Sequence, residues 1–367
     1  MKKRWRLLDT GHLTAAENMA LDRVLLECKS EGLSPDTLRF LQFRPHSVLV
    51  GRHQSVALEV EEDYCRRRGI DICRRITGGG NLYWDESQIG WEIFTDRRGG
   101  GMPRRPEELY EKICQCCVAG LARLGVEARY RPKNDIEVAG RKISGTGGKA
   151  YGGAFLYQGS LLTDFDVDTM VKALRLPVSK LDDKAVSSFR RRVVSLKELL
   201  PEMLPAAEIK AALTAGFAES LGVAFEPGGL LPEEERRFWA LLPHFRSRRW
   251  IYGRHDGQRN DLLVHDHKCR GGLIRVSLRL DGPRELLKSV CITGDFFLEP
   301  ERAVLDLEAA LKNTSSRPER IRGNILTFFK RASFDAPYLT PEDFAAAVIA
   351  AAERQKEGEH HADERKV

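Results

Sequence analysis

Residues 74–83 read Arg-Arg-Ile-Thr-Gly-Gly-Gly-Asn-Leu-Tyr, and this stretch constrains the fold more than any other. An apolar run at 69–73 precedes it and an alternating run at 89–93 follows, so we predict a loop that joins two strands. A Walker loop or a dinucleotide fingerprint would instead open a helix with a different glycine spacing. Three glycines allow close backbone approach, and their N–H groups beside two arginines predict an anion-binding loop. The alternative is a flexible turn with two solvated arginines.

Composition places the chain among soluble globular proteins. A chain of 367 residues is long enough for two or three domains with sizeable cores. Its residues are 42% hydrophobic and 31% charged, which is an ordinary balance for a soluble protein. No run of about eighteen apolar residues predicts a membrane span, and the basic N-terminus lacks an apolar signal core. Eight unevenly spaced cysteines indicate reduced thiols. We therefore expect a cytoplasmic protein without membrane association.

The formal charge of +6 comes from 59 basic and 53 acidic residues. Basic triplets at 66–68 and 190–192 lack a recognised nucleic-acid motif, so we predict solvated faces and no nucleic-acid partner. A mildly basic enzyme would also attract an acidic carrier protein, because complementary charge speeds encounter.

Strand-like and helix-like patterns occur in separate runs, which favours an α+β fold over a βαβ repeat. Thr14-x-x-Glu17 is a capping box, Pro106 starts a helix, and residues 206–221 are predicted to be helical. After about residue 245 the pattern starts afresh, with two alternating segments and two amphipathic ones. We predict mixed sheets with flanking helices in residues 1–245, a small α+β domain in 246–354, and a polar tail in 355–367.

Two later segments support the glycine loop. Residues 133–145 read Lys-Asn-Asp-Ile-Glu-Val-Ala-Gly-Arg-Lys-Ile-Ser-Gly, which predicts a turn, a short strand, and Lys142 beside small residues where it can reach a substrate. Residues 158–164 read Gln-Gly-Ser-Leu-Leu-Thr-Asp, an apolar strand that ends in polar groups. These three segments, in this order, resemble the lipoate-protein ligase family. Residues 14–22, 48–54 and the Gly-Asp-Phe-Phe run at 294–297 extend that resemblance over almost the whole chain.

The resemblance implies a biotin/lipoyl ligase-like catalytic domain that activates lipoate with ATP as lipoyl-AMP and then modifies a lysine of a lipoyl carrier protein. It implies ATP, Mg²⁺ and lipoate as ligands, and we expect a monomer. Lys142 would be catalytic, and Asp135 would orient Mg²⁺ or the incoming amine, although Asn134 and Asp135 also suit a simple turn. The implied ATP and lipoyl-AMP site comprises Arg74, Arg75, Thr77, Gly78, Gly79, Gly80, Asn81, Leu82, Tyr83, Asn134, Asp135, Lys142 and Ser144. The implied acyl pocket comprises Gly51, Gln158, Gly159 and Ser160.

The sequence departs from the family pattern at three places that line the acyl pocket in the family. Gln158 and Trp84 stand where histidines are frequent, and Thr146-Gly-Gly follows the lysine segment. The alternative function is that of an octanoyltransferase, which moves an acyl chain from acyl carrier protein through a cysteine thioester without ATP. No cysteine lies between Cys117 and Cys269, and Cys73 is the thiol nearest the glycine loop in sequence. A biotin ligase or a non-catalytic carrier-binding relative are further alternatives, but the biotin-ligase glycine motif is absent and Lys142 is present.

Overall fold

The computed structural model describes the backbone of residues 2–96, 102–103, 105–131, 134–175, 190–253, 263–281, 284–300, 302–331 and 334–364. Contacts divide the chain into two compact units. The first unit comprises Met1–Val50, Ala57–Thr77 and Leu82–Ile251. The second unit comprises Gly51–Val56, Gly78–Asn81 and Tyr252–Val367. The domain limits predicted at residues 245 and 354 stay a prediction.

The first unit is built on a large mixed sheet and a small one. Its strands are β1 (Lys3–Leu13), β2 (Thr37–Phe43), β3 (Ser47–Val50), β4 (Asp71–Arg74), β5 (Leu82–Trp84), β6 (Ile89–Asp96), β7 (Arg129–Arg131), β8 (Asp135–Val138), β9 (Arg141–Tyr151), β10 (Ala154–Leu161) and β11 (Val223–Pro227). Eight of them form one sheet in the order β11-β1-β2-β6-β10-β9-β8-β7, in which β1 runs parallel to both of its neighbours. The other pairings in that sheet are antiparallel.

The small sheet has the order β4-β3-β5, with β3 parallel to β4 and antiparallel to β5. Residues 75–81 connect β4 to β5. The prediction that the glycine-rich stretch joins two strands is therefore confirmed. The short helix Glu62–Arg68 just before β4 was not predicted.

Helices cover both faces of the large sheet. Their bounds are α1 (Ala15–Ser30), α2 (Val56–Glu59), α3 (Glu62–Arg68), α4 (Pro106–Ala122), α5 (Val167–Ala173), α6 (Leu196–Leu199), α7 (Ala206–Leu221), α8 (Pro232–Arg246) and α9 (Arg248–Tyr252). The predicted capping box is present at α1, where the Glu17 carboxylate accepts from the Thr14 backbone N–H at 2.9 Å. The prediction of a helix over 206–221 is also confirmed.

Helices α4 and α7 bury one sheet face in a core that includes Trp91, Tyr157 and Phe217. The two helices approach closely because Gly120 and Gly216 lie at their crossing. A Cβ on Gly216 would lie 2.2 Å from the Gly120 backbone nitrogen, so side chains larger than hydrogen would force the helices apart. Helices α1 and α8 pack in a second core on the opposite side.

The second unit has its own sheet and core. Its elements are β12 (Leu263–Cys269), β13 (Gly272–Asp281), β14 (Leu286–Gly294), α10 (Ala303–Leu311), α11 (Pro318–Arg331) and α12 (Pro341–Glu364). The three strands form an antiparallel sheet in sequence order. A buried apolar cluster joins the sheet to the helices through residues such as Val276, Ile325 and Phe344. The prediction of an α+β fold with a small α+β C-terminal part is confirmed, although α11 was not predicted.

Among the residues whose structure is described, no helix combines the length and apolar character that a membrane crossing requires.

Candidate active site

A β-bulge determines where Lys142 points. Strand β8 pairs Ile136 with Ser144 and Glu137 with Lys142, so Ile143 is an extra residue on β9. Strict alternation would place Lys142 on the same face as Ser144 and Thr146. The bulge shifts the lysine by one position, so it lies on the face that Asp135 and Gly145 share.

Lys142 forms an ion pair with Asp135 on that face. Its Nζ lies 2.7 Å from the Asp135 Oδ1, and the side chains are 37% and 26% exposed. The backbone of the lysine is fixed on its other edge, because its N–H donates to the Arg192 carbonyl at 2.8 Å and its carbonyl accepts from the Val194 N–H at 2.9 Å. A fixed backbone and a half-exposed ammonium can present an N–H donor to a substrate carbonyl or to an anion.

Gly145 makes room for the lysine side chain. A Cβ at this position would lie 2.7 Å from the Lys142 Nζ and 2.8 Å from its Cε. The Gly145 N–H donates to the Ser160 Oγ at 3.4 Å, which places Ser160 on the same face. A small residue at this position therefore leaves space for the Lys142 side chain, and the prediction that the lysine reaches a substrate stays a prediction.

Asn134 closes the turn that carries Asp135. Its side-chain amide donates to the Thr146 carbonyl at 2.9 Å, and its own carbonyl accepts from the Thr146 N–H at 2.8 Å. The Asn134 side chain thus supports the backbone, while Asp135 contacts the lysine. Within the described part of the chain, no three His, Cys, Asp or Glu side chains are placed to hold a metal. The described contact of Asp135 is Lys142. The Mg²⁺ role that the resemblance implied for Asp135 stays a prediction.

The predicted acyl-pocket residues of β10 point to both sides of the sheet. Gln158 pairs with Gly147 and Glu92, and Ser160 pairs with Gly145, so both face the Lys142 side. Gly159 lies on the opposite face, where a Cβ would be 2.2 Å from the Trp91 ring. Ser144 shares that opposite face and is fully buried. The side-chain positions of Ser144 and Gly159 therefore face the buried core of the first unit.

Arg74 and Arg75 are buried, and each guanidinium donates hydrogen bonds to backbone carbonyls. The Arg74 guanidinium donates to the Ile251 carbonyl at 2.7 Å, and the Trp250 indole N–H donates back to the Arg74 carbonyl at 3.0 Å. Arg75 donates to the Leu49 carbonyl at 2.8 Å and to the Thr77 Oγ1 at 3.2 Å. Burial lowers the pKa of Arg75 to about 10, so it keeps its charge at neutral pH.

Leu82 and Tyr83 belong to β5. The Tyr83 hydroxyl lies 2.7 Å from the His46 Nδ1, and burial raises the pKa of this phenol above its ordinary value. A phenol in this setting stays neutral and acts as a hydrogen-bonding group.

Gly51 and Gly78–Asn81 fall in the second unit, where glycines permit close backbone contacts. A Cβ on Gly51 would lie 1.9 Å from the Gly79 carbonyl oxygen, and one on Gly78 would lie 2.5 Å from the Phe296 carbonyl oxygen. Gly79 also has a φ of 94°, which favours glycine. Gly80 lies nearest Asp295, with 3.7 Å from its Cβ position to the Asp295 Cβ. The ligand role predicted for this loop stays a prediction.

A buried charge cluster on the Lys142 side of the sheet was missed. The Arg39 guanidinium lies 2.9 Å from the Asp22 carboxylate, 3.0 Å from the Glu92 carboxylate and 2.6 Å from the Asn18 amide oxygen. Burial is the main cause that raises the pKa of both the Asp22 and the Glu92 carboxyl. The sequence signal that could have predicted this cluster is the presence of charged residues within the apolar strands 37–43 and 89–96.

All eight cysteines are buried or half-buried. Cys114 packs against β9 from the core side, with its Sγ 3.4 Å from the Tyr157 hydroxyl and 3.8 Å from the Thr146 hydroxyl. It therefore lies on the face of the sheet opposite Lys142. Burial raises the pKa of Cys114 to about 11 and that of Cys73 to about 12, so thiolate is scarce at both sites near neutral pH.

Comparisons with known proteins place this geometry in a family. The family described as "Lipoyl protein ligase A/B catalytic domain" matches residues 14–218. The octanoyltransferase LipM of Kyrpidia tusciae is 31% identical over 270 residues, which cover 68% of this chain and 98% of the relative. Seven further relatives, at 25% to 33% identity, carry the same name.

Solved structures agree on the fold. The bi-partite lipoate protein ligase of Thermoplasma acidophilum, described with its E2 lipoyl domain, is 26% identical with a TM-score of 0.63 and covers 70% of this chain and 99% of its own. A lipoate-protein ligase A bound with ATP is also 26% identical, with a TM-score of 0.59 and coverage of 69% and 99%.

The prediction of an ATP-dependent lipoate-protein ligase is contradicted by the relatives, whose names describe octanoyl transfer. The resemblance read from the sequence was correct for the family and for the fold, and the error concerned the acyl donor. The chain is an enzyme of the lipoyl protein ligase A/B catalytic-domain family, to which ligases and octanoyltransferases both belong.

Proposed function

We propose that this protein transfers an octanoyl group from a carrier thioester to the ε-amino group of a lysine in a lipoyl carrier domain. The observation that supports this function most strongly is the match to octanoyltransferases over nearly their full length, 98% for the Kyrpidia tusciae protein. Among the described residues, the partly exposed Lys142 ammonium suits the reaction best.

The reaction forms a bond between the acceptor amine nitrogen and the acyl carbonyl carbon, and it breaks the bond between that carbon and the donor sulfur. Negative charge develops on the carbonyl oxygen in the transition state. The Lys142 ammonium donates to that oxygen, and Asp135, 2.7 Å away, keeps the ammonium in place. The proton lost by the amine balances the one gained by the leaving thiolate.

The transfer runs directly between the two carriers in this proposal. An acyl-enzyme needs a thiolate beside the lysine. Cys114 lies across the sheet from Lys142, and burial holds the pKa of Cys114 and Cys73 far above neutrality. The cysteine thioester considered for a transferase therefore finds no support in the described geometry, and a lysine-assisted direct step does.

The proposed reaction consumes no ATP. ATP, which a related ligase structure binds, and the expected Mg²⁺ and lipoate therefore serve as control additions in the transfer assay. A monomeric state, a cytoplasmic location and the absence of a nucleic-acid partner stay predictions.

The test is intact-mass measurement of an apo lipoyl domain after incubation with the protein and octanoyl carrier protein, with apyrase present to remove ATP. We expect an octanoyl adduct that disappears in Lys142→Ala. Lys197→Ala is the matched control, because Lys197 forms an exposed pair with Asp164 at the same 2.7 Å distance. An adduct that forms only from a free acid plus ATP would overturn the proposal, and a trapped octanoyl-cysteine on the enzyme would overturn the direct step.

A further inference from the structure

We propose that one face of helix α11 in the second unit is the docking surface for the acidic acceptor domain. The inference rests on the proposed function for the identity of that acceptor, a lipoyl carrier domain, and it requires that the docking edge of this domain carries carboxylates. It concerns the acceptor and not the acyl donor, so it can be tested without any transfer.

Helix α11 has two distinct faces. Ile321, Ile325 and Phe329 are spaced four apart and are buried in the core of the second unit. Arg320, Asn324, Thr327 and Arg331 are spaced by four, three and four residues, so they share another face. Arg320 and Arg331 are both exposed, and the helical rise puts about 16 Å between them along the axis.

A groove lies against this face. It encloses about 360 Å³ between the end of α10 and the side of α11. Its lining offers a guanidinium, two hydroxyls, a carboxamide and an apolar floor, from Arg331, Thr314, Thr327, Asn324, Phe328 and Ala310. Donors around an apolar floor suit a carboxylate-rich protein edge better than a purely apolar helix.

The charge of the helix is not neutralised locally. Arg320, Arg322, Lys330 and Arg331 are exposed and have no carboxylate at ion-pair distance among the described residues, whereas Glu319 is the helix's acidic residue. Neighbouring carboxylates are already engaged. Asp306 pairs with Arg302 at 2.9 Å, Glu285 pairs with Arg317 at 2.9 Å, and Glu308 accepts from the Ile292 N–H at 2.8 Å.

Cations that lack a carboxylate partner in the described part of the chain, and that lie beside a groove, favour a partner of opposite charge, since complementary potentials speed encounter and fix register. A merely solvated basic helix would show no preference between its faces. The docking surface predicts a preference for one face, because Arg320 and Arg331 share the face of the groove whereas Arg322 and Lys330 do not.

The experiment measures binding of the apo acceptor domain to the full-length protein by isothermal titration calorimetry, with no acyl donor present. The two variants are Arg320→Glu with Arg331→Glu, and Arg322→Glu with Lys330→Glu as the matched control. Both change the net charge equally, and each alters one residue in the last helical turn. Thermal melting of both variants checks that they fold.

We expect the groove-face variant to weaken binding by about tenfold or more and the control by less than about threefold, because charge reversal at a docked face acts locally. Equal weakening by both variants, or no weakening by either, would overturn the docking surface. Face-dependent binding without octanoyl transfer from the thioester would leave the docking surface supported and overturn only the proposed function.

Discussion

Replacing Gly145 by alanine tests whether the placement of the Lys142 ammonium controls catalysis. The new Cβ would lie 2.7 Å from Nζ and 2.8 Å from Cε, whereas ordinary contacts begin at 3.4 Å. The end of the side chain must therefore move by about 0.7 Å or more, away from its position 2.7 Å from the Asp135 Oδ1. Displacements approaching 1 Å at a catalytic group can cost about 10²-fold, so we expect kcat/KM for octanoyl transfer to fall by about 10-fold to 10²-fold.

The same substitution should leave stability nearly unchanged, because the lysine end is flexible and 37% exposed. We expect a change below about 1 kcal/mol in the free energy of unfolding, measured by urea titration. Gly153→Ala is the matched control, since a Cβ there meets no atom within 4 Å. Full activity in Gly145→Ala, or a loss of activity that only follows a loss of folded protein, would refute this role for the lysine position.

Three further outcomes follow from the same geometry. Gly159→Ala should lower the free energy of unfolding by about 1–3 kcal/mol, seen as a lower urea midpoint, because its Cβ would lie 2.2 Å from the Trp91 ring. Asp22→Asn should flatten the pH dependence of the free energy of unfolding. Folding raises the pKa of Asp22 and Glu92, so their contribution to stability is present below the unfolded pKa and is lost as pH rises through the folded pKa. Urea titrations from pH 4 to 8, that is from about the unfolded carboxyl pKa upward, would contradict this if both proteins showed the same slope. Cys114→Ala should keep octanoyl transfer within about threefold, and loss of transfer in a folded variant would restore a thiol mechanism.

Local signals in the sequence predicted several of the regular elements. The Thr14 capping box and the helix predicted over residues 206–221 each concern a single helix, and both helices are present. The glycine-rich loop was placed correctly between two strands for the same reason, because turn chemistry is a property of neighbouring residues.

The details of the site depend on contacts that span the sequence. The bulge at Ile143 exists only in the pairing of β8 with β9, and without it alternation would turn Lys142 toward the core. Asp22 and Glu92 meet at Arg39 because the order of strands in the sheet brings distant segments together. Sequence spacing alone carries neither relationship.

The acyl donor was predicted wrongly for a chemical reason. A lysine that contacts an acyl carbonyl serves an acyl-adenylate and an acyl thioester alike, so Lys142 and its small neighbours cannot distinguish the two donors. The resemblance predicted the family, which the catalytic-domain match confirms, and the names of the octanoyltransferase relatives contradict the predicted donor.

One competition experiment tests the donor most directly. The full-length protein is given an apo lipoyl domain together with octanoyl carrier protein, free lipoate, ATP and Mg²⁺ in a single reaction, and intact-mass spectrometry identifies the group on the acceptor. The proposed function predicts octanoyl adducts, at a rate that does not change when ATP is omitted. Predominantly lipoyl adducts that vanish without ATP would contradict it.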